Sequence, residues 1–241
     1  MNVFGITDVG KIRENNEDSL YFSDSPVCAL PNLYIVADGM GGHCGGEVAS
    51  SKAIEFFRAS AEACGGEILD ILISAARAAN AGVYAHSLSA AALSGMGTTL
   101  SACAAAEGKL YAAHIGDSRI YLVSRENITQ LTQDHTYVAE MVRHGDITPE
   151  QARTHPQRNF ITKALGTEPE VFADGLARDV SAGDKVLLCS DGLYGQLPDG
   201  EILRAVSENY GDNEAAGRLL LELALKNGGD DNITLILFDV N

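Results

Sequence analysis

A short apolar run gives way to a carboxylate and several glycines at Leu33-Tyr34-Ile35-Val36-Ala37-Asp38-Gly39-Met40-Gly41-Gly42-His43. The apolar part has the length of a buried strand, and three of the four residues after Asp38 are glycine. An aspartate at the end of a strand, followed by backbone that bends freely, can present a metal ligand at a sheet edge. Asp-Gly is also a common turn, so the dipeptide alone favours an ordinary turn. Similar constructions elsewhere in the chain give the metal interpretation its weight.

The composition is that of a single globular domain spanning residues 1–241. Hydrophobic residues make up 46% of the chain and charged residues 21%, which is ordinary for a soluble protein. The formal net charge is -16, which argues against nucleic acid or an anionic membrane surface as the main partner. Such an excess of carboxylates suits an enzyme that gathers them around a divalent cation. An acidic surface without any site also explains most of the charge.

Targeting signals and several common catalytic motifs are absent from the sequence. No run of 18 uninterrupted apolar residues and no signal-peptide pattern occurs, so we expect no membrane span and a cytoplasmic location. The five cysteines are scattered and never spaced C-x-x-C, which is typical of reduced thiols in a cytoplasm. The C-x5-R loop of cysteine-dependent phosphatases, the Walker P-loop and the G-x-S-x-G elbow are all missing.

The strands are predicted to come in hairpins rather than singly between helices. Val3 to Thr7 and Ser19 to Ser23 are predicted to pair across a polar loop, and Leu33 to Ala37 forms a third strand. Two alanine-rich helices follow, strands resume from Gly97, and Val171 to Leu176 is a further predicted strand. This order predicts an α+β fold, with antiparallel sheets covered by helix pairs, and argues against a doubly wound fold.

Several aspartates stand at predicted strand ends beside a glycine, a glutamate or an amide. If those ends converge, the carboxylates share a small volume and repel one another unless cations neutralise them. Oxygen ligands without an ordered His or Cys set indicate Mg²⁺ or Mn²⁺ rather than zinc. Each Asp-Gly or Gly-Asp pair taken singly is better explained as a turn, but five such sites weaken that explanation. The aspartates are Asp18, Asp38, Asp117, Asp191 and Asp231.

The ordered set of motifs resembles the metal-dependent protein phosphatases of the type 2C (PPM) family, in their compact bacterial form. The resemblance covers nearly the whole chain, and the motifs are specific together although none is specific alone. It implies a four-layer αββα fold, a central antiparallel β-sandwich flanked on both sides by helix pairs, with the metal site at one end. The matching segments are Gly5 to Gly10, Arg13, Asn16 to Asp18, Val36 to Glu47, Met96 to Thr99, His114 to Arg119, Leu131 to His135, Leu187 to Leu193 and Gly229 to Thr234.

The resemblance also implies which residues hold the metals. Asp38 would bridge two Mn²⁺ or Mg²⁺ ions, and the Gly39 carbonyl would bind the second. Asp191 and Asp231 would complete the first metal, and Asp117 with Asp191 matches the family's weaker third site. Two such ions lower the pKa of a bridging water, and the resulting hydroxide attacks phosphorus directly. No cysteine, serine or histidine nucleophile is then needed.

Other residues of the motifs are implied to support this chemistry. Arg13 matches the arginine that holds the substrate phosphate, a role suited to the two parallel hydrogen bonds that a guanidinium donates. Glu17, Asp18 and Asn232 would act around the metals, mostly through water or hydrogen bonds. Without the resemblance, an exposed loop arginine is the better interpretation of Arg13.

One position departs from the eukaryotic pattern, in which a histidine proposed as the general acid follows the Asp-Gly pair. Here that residue is Met40, as is usual in bacterial members. His43 lies nearby in the sequence, and a supporting or structural role is at least as well founded for it as catalysis. Residues from about 135 to 166 match the mobile flap of bacterial members, which lies beside the active site.

The predicted function is hydrolysis of phosphoserine and phosphothreonine in proteins, opposing a partner Ser/Thr kinase. The residues alone reach only a carboxylate-rich, metal-dependent hydrolase, and the narrower statement rests on the resemblance. One alternative is a non-catalytic phosphoprotein-binding regulatory domain on the same fold. A second is a hydrolase of small phosphoesters. The expected partners are phosphoproteins and the kinase, without nucleic acid or membrane, and the expected state is a monomer.

Overall fold

The computed structural model describes residues 2–41 and 45–240. His43, for which the sequence predicted a supporting role, lies outside these residues. The described chain folds into two antiparallel sheets that pack face to face, with helices on both outer faces. The predicted α+β class and its αββα layering are therefore confirmed.

Neighbouring strands of both sheets pair antiparallel. The first sheet contains, in spatial order, β1 (Val3–Asp8), β11 (Ile233–Asp239), β10 (Lys185–Cys189), β7 (Arg119–Val123) and β8 (Ile128–Gln130). The second contains β2 (Asp18–Ser23), β3 (Leu33–Met40), β5 (Leu100–Ala106), β6 (Lys109–Ile115) and β9 (Asp174–Asp179), with β4 (Gly97–Thr98) paired to the end of β3.

Helices cover the outer face of each sheet. The second sheet carries α1 (Gly45–Ala63) and α2 (Ile68–Ser87), and the first carries α6 (Asp199–Glu208) and α7 (Asn213–Asn227). Among the residues that the structure describes, the connections contain three shorter α-helices and one 3₁₀ turn (Ala91–Leu93); the α-helices are α3 (Tyr137–His144), α4 (Pro149–Arg153) and α5 (Asp191–Tyr194).

The alternation of side chains along β3 explains the layering. Leu33, Ile35 and Ala37 point to the cluster beneath α1 and α2, while Tyr34 and Val36 point to the cluster between the sheets. Because successive residues of a strand face opposite sides, a strand that is apolar throughout must be covered on both faces. Between the sheets the ring of Tyr34 stacks on Phe238 of β11, with centroids 3.8 Å apart.

One helix, α2, is long and apolar enough to cross a membrane by length and composition, with a mean hydropathy of 1.2. Its apolar side is occupied within the domain, since Ile71, Leu72, Ala75 and Val83 are buried in the cluster beneath α1 and α2. The core helix of a globular domain passes the same test of length and composition.

The predicted hairpin of the first two strands is wrong. β1 pairs with β11 in the first sheet, whereas β2 pairs with β3 in the second. Residues 9–17, which join them, cross from one sheet to the other and are too long for a tight hairpin turn. The crossing places this loop at the edge of the sandwich, beside Asp231.

The strand predicted over Val171 to Leu176 starts three residues later, at β9. Val171 is buried against the helix-covered face of the second sheet, so an apolar residue that suggested a strand packs from a loop instead. β9 is a largely exposed edge strand, and for that reason its sequence carries little apolar alternation. The four-residue helix α5 was not predicted, because it is too short to show a helical period.

Residues 135–166 form a separate excursion between β8 and β9. Its helix α3 ends at Gly145, which has a left-handed φ of 81°, and α4 begins with a capping box of Thr148 and Gln151. The segment leaves the body at His135 and returns through Thr162 and Leu165, which hydrogen-bond to His135 and Thr98 respectively.

Candidate metal centre

The structure brings the five predicted aspartates to one end of the sandwich. Asp18 begins β2 and is the register partner of Asp38 in β3. Asp191 follows β10 and Asp231 precedes β11, at the end where these two strands pair through Cys189 and Leu235. Asp117 lies in the turn before β7, whose first residue, Arg119, pairs with Cys189. Strands from both sheets therefore deliver carboxyl groups to the same place.

Burial and mutual repulsion raise the pKa of four of these carboxyl groups, those of Asp18, Asp38, Asp117 and Asp191. Burial is the largest cause, and it raises the pKa of Asp18 to about 7, of Asp117 to about 8 and of Asp191 to about 6. The pKa of Asp38 is raised well above its usual range by burial and then by the charges of Asp18, Asp191, Asp117 and Asp231. The aspartates thus lie close enough to affect one another's ionisation.

The backbone around Asp38 is fixed by Thr98 and Thr99. Asp38 N–H donates to Thr99 Oγ1 at 2.9 Å, and the Asp38 carbonyl accepts from Thr99 N–H and from Thr98 Oγ1, both at 2.8 Å. Thr99 Oγ1 also lies 2.7 Å from Ser118 Oγ, next to Asp117. These threonines hold the strand that carries Asp38.

Asp18 is held by hydroxyl groups of the opposite sheet. Ser190 Oγ donates to Asp18 Oδ2 at 2.7 Å, and a hydrogen bond from Thr234 also counters the rise in the pKa of Asp18. Ser190 Oγ itself accepts from Thr234 N–H at 3.0 Å. The contact locks the end of β10 to the start of β2. Neither hydroxyl residue was predicted as part of the site, although Ser190 directly precedes Asp191 in the sequence.

Glu17 joins the loop of residues 9–17 to α1. Its carbonyl accepts from Gly39 N–H at 3.1 Å and from Ser50 Oγ at 2.6 Å, and its carboxylate accepts from Gly46 N–H in the first turn of α1. A Cβ atom at Gly46 would lie 2.5 Å from the carboxyl carbon of Glu17. Burial raises the pKa of Glu17, while the Gly46 hydrogen bond and Arg13 lower it.

Asn232 ties the other end of the same loop to β11. Its Nδ2 donates to the carbonyls of Val9 and Asn15 at 2.9 and 3.0 Å, and its Oδ1 accepts from Glu17 N–H at 2.8 Å. The loop carries Arg13, whose Nη2 donates to Asp231 Oδ2 at 2.7 Å. About half of the Arg13 side chain is exposed.

A second arginine, Arg119, supports the turn that contains Asp117 through Tyr194. Arg119 makes a bidentate ion pair with Asp134, with contacts of 2.7 to 3.2 Å, and lies 3.6 Å above the ring of Tyr194. Tyr194 of α5 in turn donates its hydroxyl to the Asp117 carbonyl at 3.0 Å. Arg119 and Asp134 lie in two of the segments that resemble the family, whereas Tyr194 lies outside them.

The side chains suit a divalent cation with hard oxygen ligands. Within residues 2–41 and 45–240, no ion pair neutralises Asp18, Asp38 or Asp117, and no three potential ligands already stand in a preformed cluster. One oxygen of Asp231 is engaged by Arg13. Several buried carboxyl groups without a matching cation are what divalent ions such as Mg²⁺ and Mn²⁺ neutralise.

Comparison with known proteins agrees with this geometry. Residues 11–217 match the family described as Protein phosphatase 2C. The serine/threonine protein phosphatase PstP of Mycobacterium tuberculosis is 43% identical over 235 residues, which is 97% of this chain and 44% of PstP. The chain thus spans less than half the length of that relative. The serine/threonine phosphatase stp of Listeria innocua is 36% identical over 240 residues, covering 98% of this chain and 94% of stp.

A solved structure shares the fold over its full length. The catalytic domain of PstP in complex with two manganese ions superposes with a TM-score of 0.86 at 40% identity, covering 100% of this chain and 98% of that one. The matched family, the relatives and the arrangement of acids at the sheet ends lead to the same conclusion. This chain belongs to the protein phosphatase 2C family.

Proposed function

We propose that the chain is a metal-dependent protein phosphatase that hydrolyses phosphoserine and phosphothreonine. The observation that carries the proposal is the gathering of Asp18, Asp38, Asp117, Asp191 and Asp231 at one end of a sandwich that belongs to the protein phosphatase 2C family. The names of the relatives support the serine/threonine preference, and the manganese in the PstP structure supports Mn²⁺, with Mg²⁺ as the other candidate.

We assign the metal ligands as the resemblance to the family implies, and the oxygen chemistry of the side chains supports the assignment. Asp38, the Gly39 carbonyl, Asp191 and Asp231 would hold two core ions, and Asp117 with Asp191 would hold a weaker third. The bound ions would supply an activated water and stabilise the oxygens of an in-line displacement at phosphorus. Asp18 then orients the site through its hydrogen bonds with Ser190 and Thr234.

Arg13 is assigned to the substrate phosphate. Its guanidinium stands at the mouth of the site with about half of its surface exposed, and it already donates to the carboxylate of Asp231. A guanidinium that can donate to one oxyanion can donate to a phosphate of similar geometry beside it. Glu17 and Asn232 would keep the Arg13 loop and the Gly39 backbone in place through the hydrogen bonds they make.

The remaining assignments follow from this function. The substrates would be phosphoproteins phosphorylated by a cognate Ser/Thr kinase, and the enzyme would act in the cytoplasm as a monomeric, single domain of residues 1–241. Residues 135–166 would form a flap beside the site, through which the substrate protein is contacted. His43 keeps a proposed supporting role, and no residue is assigned as the general acid in place of the histidine that Met40 replaces.

The test is phosphate release from a phosphothreonine peptide by chelator-treated protein, with and without added Mn²⁺. Release that requires Mn²⁺ and exceeds release from the matched phosphotyrosine peptide supports the proposal. Binding of Mn²⁺ and phosphopeptide without release favours the regulatory-domain alternative. Release from nitrophenyl phosphate alone favours a hydrolase of small phosphoesters.

A further inference from the structure

Both limbs of the 135–166 segment meet at one residue, His135. The first limb begins at this residue, and the returning limb donates Thr162 N–H to the His135 carbonyl at 2.8 Å. His135 Nε2 lies 3.2 Å from Asp174 Oδ2, and Lys163 of the returning limb donates to Asp174 Oδ1 at 2.7 Å. The imidazole, Asp174 and Lys163 thus fasten the base of the segment to β9.

The same imidazole holds the backbone beside Asp117. Gly116 N–H donates to His135 Nδ1 at 3.0 Å, and His135 N–H donates back to the Gly116 carbonyl at 2.8 Å. Because Nδ1 accepts a hydrogen bond, the ring proton of the neutral imidazole is on Nε2, where it is donated to Asp174. His114 stacks on the ring with centroids 5.1 Å apart and limits its rotation.

Gly116 packs tightly against Thr99. Its φ is +100°, and a Cβ atom there would lie 2.6 Å from Thr99 Cγ2. Thr99 in turn holds the backbone of Asp38. A shift of Gly116 would therefore reach Asp117 directly and Asp38 through Thr99.

We infer that His135 is a positioning residue that holds the backbone of the metal ligand Asp117 from the base of the 135–166 segment. The Nδ1 side fixes the Gly116–Asp117 backbone, and the Nε2 side fixes Asp174 and, through it, Lys163. The inference rests on the proposed function, because it takes Asp117 to be a ligand of the weaker third ion. Hydrogen-bonding partners one step removed from a metal typically change its affinity by about 10- to 100-fold when they are lost.

Two substitutions separate the two sides of the ring. Asparagine places its amide oxygen near the position of Nδ1, so His135→Asn keeps an acceptor for Gly116 N–H and loses the contact to Asp174. Glutamine places its amide nitrogen near the position of Nε2, so His135→Gln keeps the donor to Asp174 and loses the acceptor for Gly116. His144→Asn, at the exposed end of α3, is the matched control on the same segment.

The experiment is calorimetric titration of chelator-stripped protein with Mn²⁺, together with the Mn²⁺ dependence of phosphate release and a thermal unfolding scan of each variant. The weakest Mn²⁺-binding step should weaken by about 10- to 100-fold in His135→Gln. In His135→Asn and His144→Asn, the affinity of this step should stay within about threefold of that of the unsubstituted protein. A change of that size lies below the range of about 10- to 100-fold expected when a supporting contact is lost. The tighter Mn²⁺ steps and the unfolding temperature should change little in all three.

An unchanged weakest step in His135→Gln, or an equal loss in His135→Asn and His135→Gln, would overturn the inference while leaving the proposed function intact. If the unsubstituted protein binds no Mn²⁺ and releases no phosphate, the proposed function fails and the inference fails with it. If His135→Gln does not fold, His135→Ala, which also removes the acceptor for Gly116 N–H, takes its place, and an equal last Mn²⁺ step in His135→Ala and His135→Asn would overturn the inference. His135→Asn and Asp174→Asn both spare the Gly116 contact. A weakened last Mn²⁺ step in either of them would contradict the assignment of that step to the Nδ1 side.

Discussion

Asp18 and Asp38 lie directly opposite each other on adjacent antiparallel strands. Like charges in this position repel, and a sheet selected only for stability would avoid the pair. Asp18 is almost fully buried, and hydrogen bonds from Ser190 and Thr234 favour its charged form without neutralising it. The pair therefore lowers the stability of the metal-free protein and supplies carboxylates that can bind cations.

The stability of the metal-free protein should fall as the pH rises. The folded-state pKa values of Asp18, Asp117 and Asp191 are raised to about 7, about 8 and about 6, above those of unfolded aspartate. The folded protein therefore binds more protons, and its extra stability, full below about pH 4, is lost as the pH passes through 6 to 8. In thermal scans with chelator, each kcal/mol lost lowers the unfolding temperature by about 2–4 °C.

Added Mn²⁺ provides the control for that pH dependence. Because protons and metal compete for the same carboxylates, Mn²⁺ should raise the unfolding temperature more at about pH 8 than at about pH 5.5. An unfolding temperature in chelator that rises steadily from pH 5.5 to pH 8 would contradict the repulsion assigned to these residues.

Gly46→Ala should damage both stability and activity. The new Cβ would lie 2.5 Å from the carboxyl carbon of Glu17, so this flexible side chain must move away and lose its hydrogen bond from Gly46 N–H, at a cost of about 1 kcal/mol. Because the Glu17 carbonyl supports Gly39 N–H, Mn²⁺-dependent phosphate release should also fall. Gly200→Ala is the matched control, since nothing lies within 4 Å of its Cβ and alanine favours the helix. Denaturant unfolding of both variants checks the prediction, and equal effects would refute it.

Arg13→Ala should act mainly on substrate binding. Loss of a charge-assisted hydrogen bond of about 1.5–3 kcal/mol corresponds to an increase in KM of at least about tenfold, with a smaller change in kcat. Lys11→Ala removes another exposed cation of the same loop and should leave KM nearly unchanged. Steady-state phosphate release from a phosphothreonine peptide measures both. If Arg13→Ala and Lys11→Ala had the same KM, Arg13 would be an ordinary loop residue without a role in binding the phosphate.

The layers of the fold could be predicted because β3 and its neighbours carry an unmistakable apolar pattern. The pairing of β1 could not, because its partner β11 begins 225 residues further along the chain, at Ile233, and local alternation says nothing about distant pairing. The bounds of strand β9 were predicted three residues too early. The strand itself is an exposed edge strand with little apolar pattern, and the buried Val171 lies in the loop before it.

The acids of the site could be predicted for a similar reason, since each stands beside a glycine, a glutamate or an amide at a predicted strand end. Their supports could not. Ser190 and Thr234 bind Asp18 across the space between the sheets, and Gly46 bonds to Glu17 only once α1 has been placed. His135 was part of a recognised motif, but its contacts with Gly116 and Asp174 depend on how the 135–166 segment returns to the sheet.

The central claim is that the clustered acids hold the cations on which hydrolysis depends. The most direct test is to measure Mn²⁺ binding and phosphate release together in Asp38→Asn and in Asp184→Asn, which alters a turn carboxyl group at the opposite end of β10. Asp38→Asn should lose metal binding and release phosphate about a thousandfold more slowly, since metal catalysis contributes several kcal/mol. Asp184→Asn should match the unsubstituted protein in both. Mn²⁺-dependent release at the normal rate in Asp38→Asn would contradict the account.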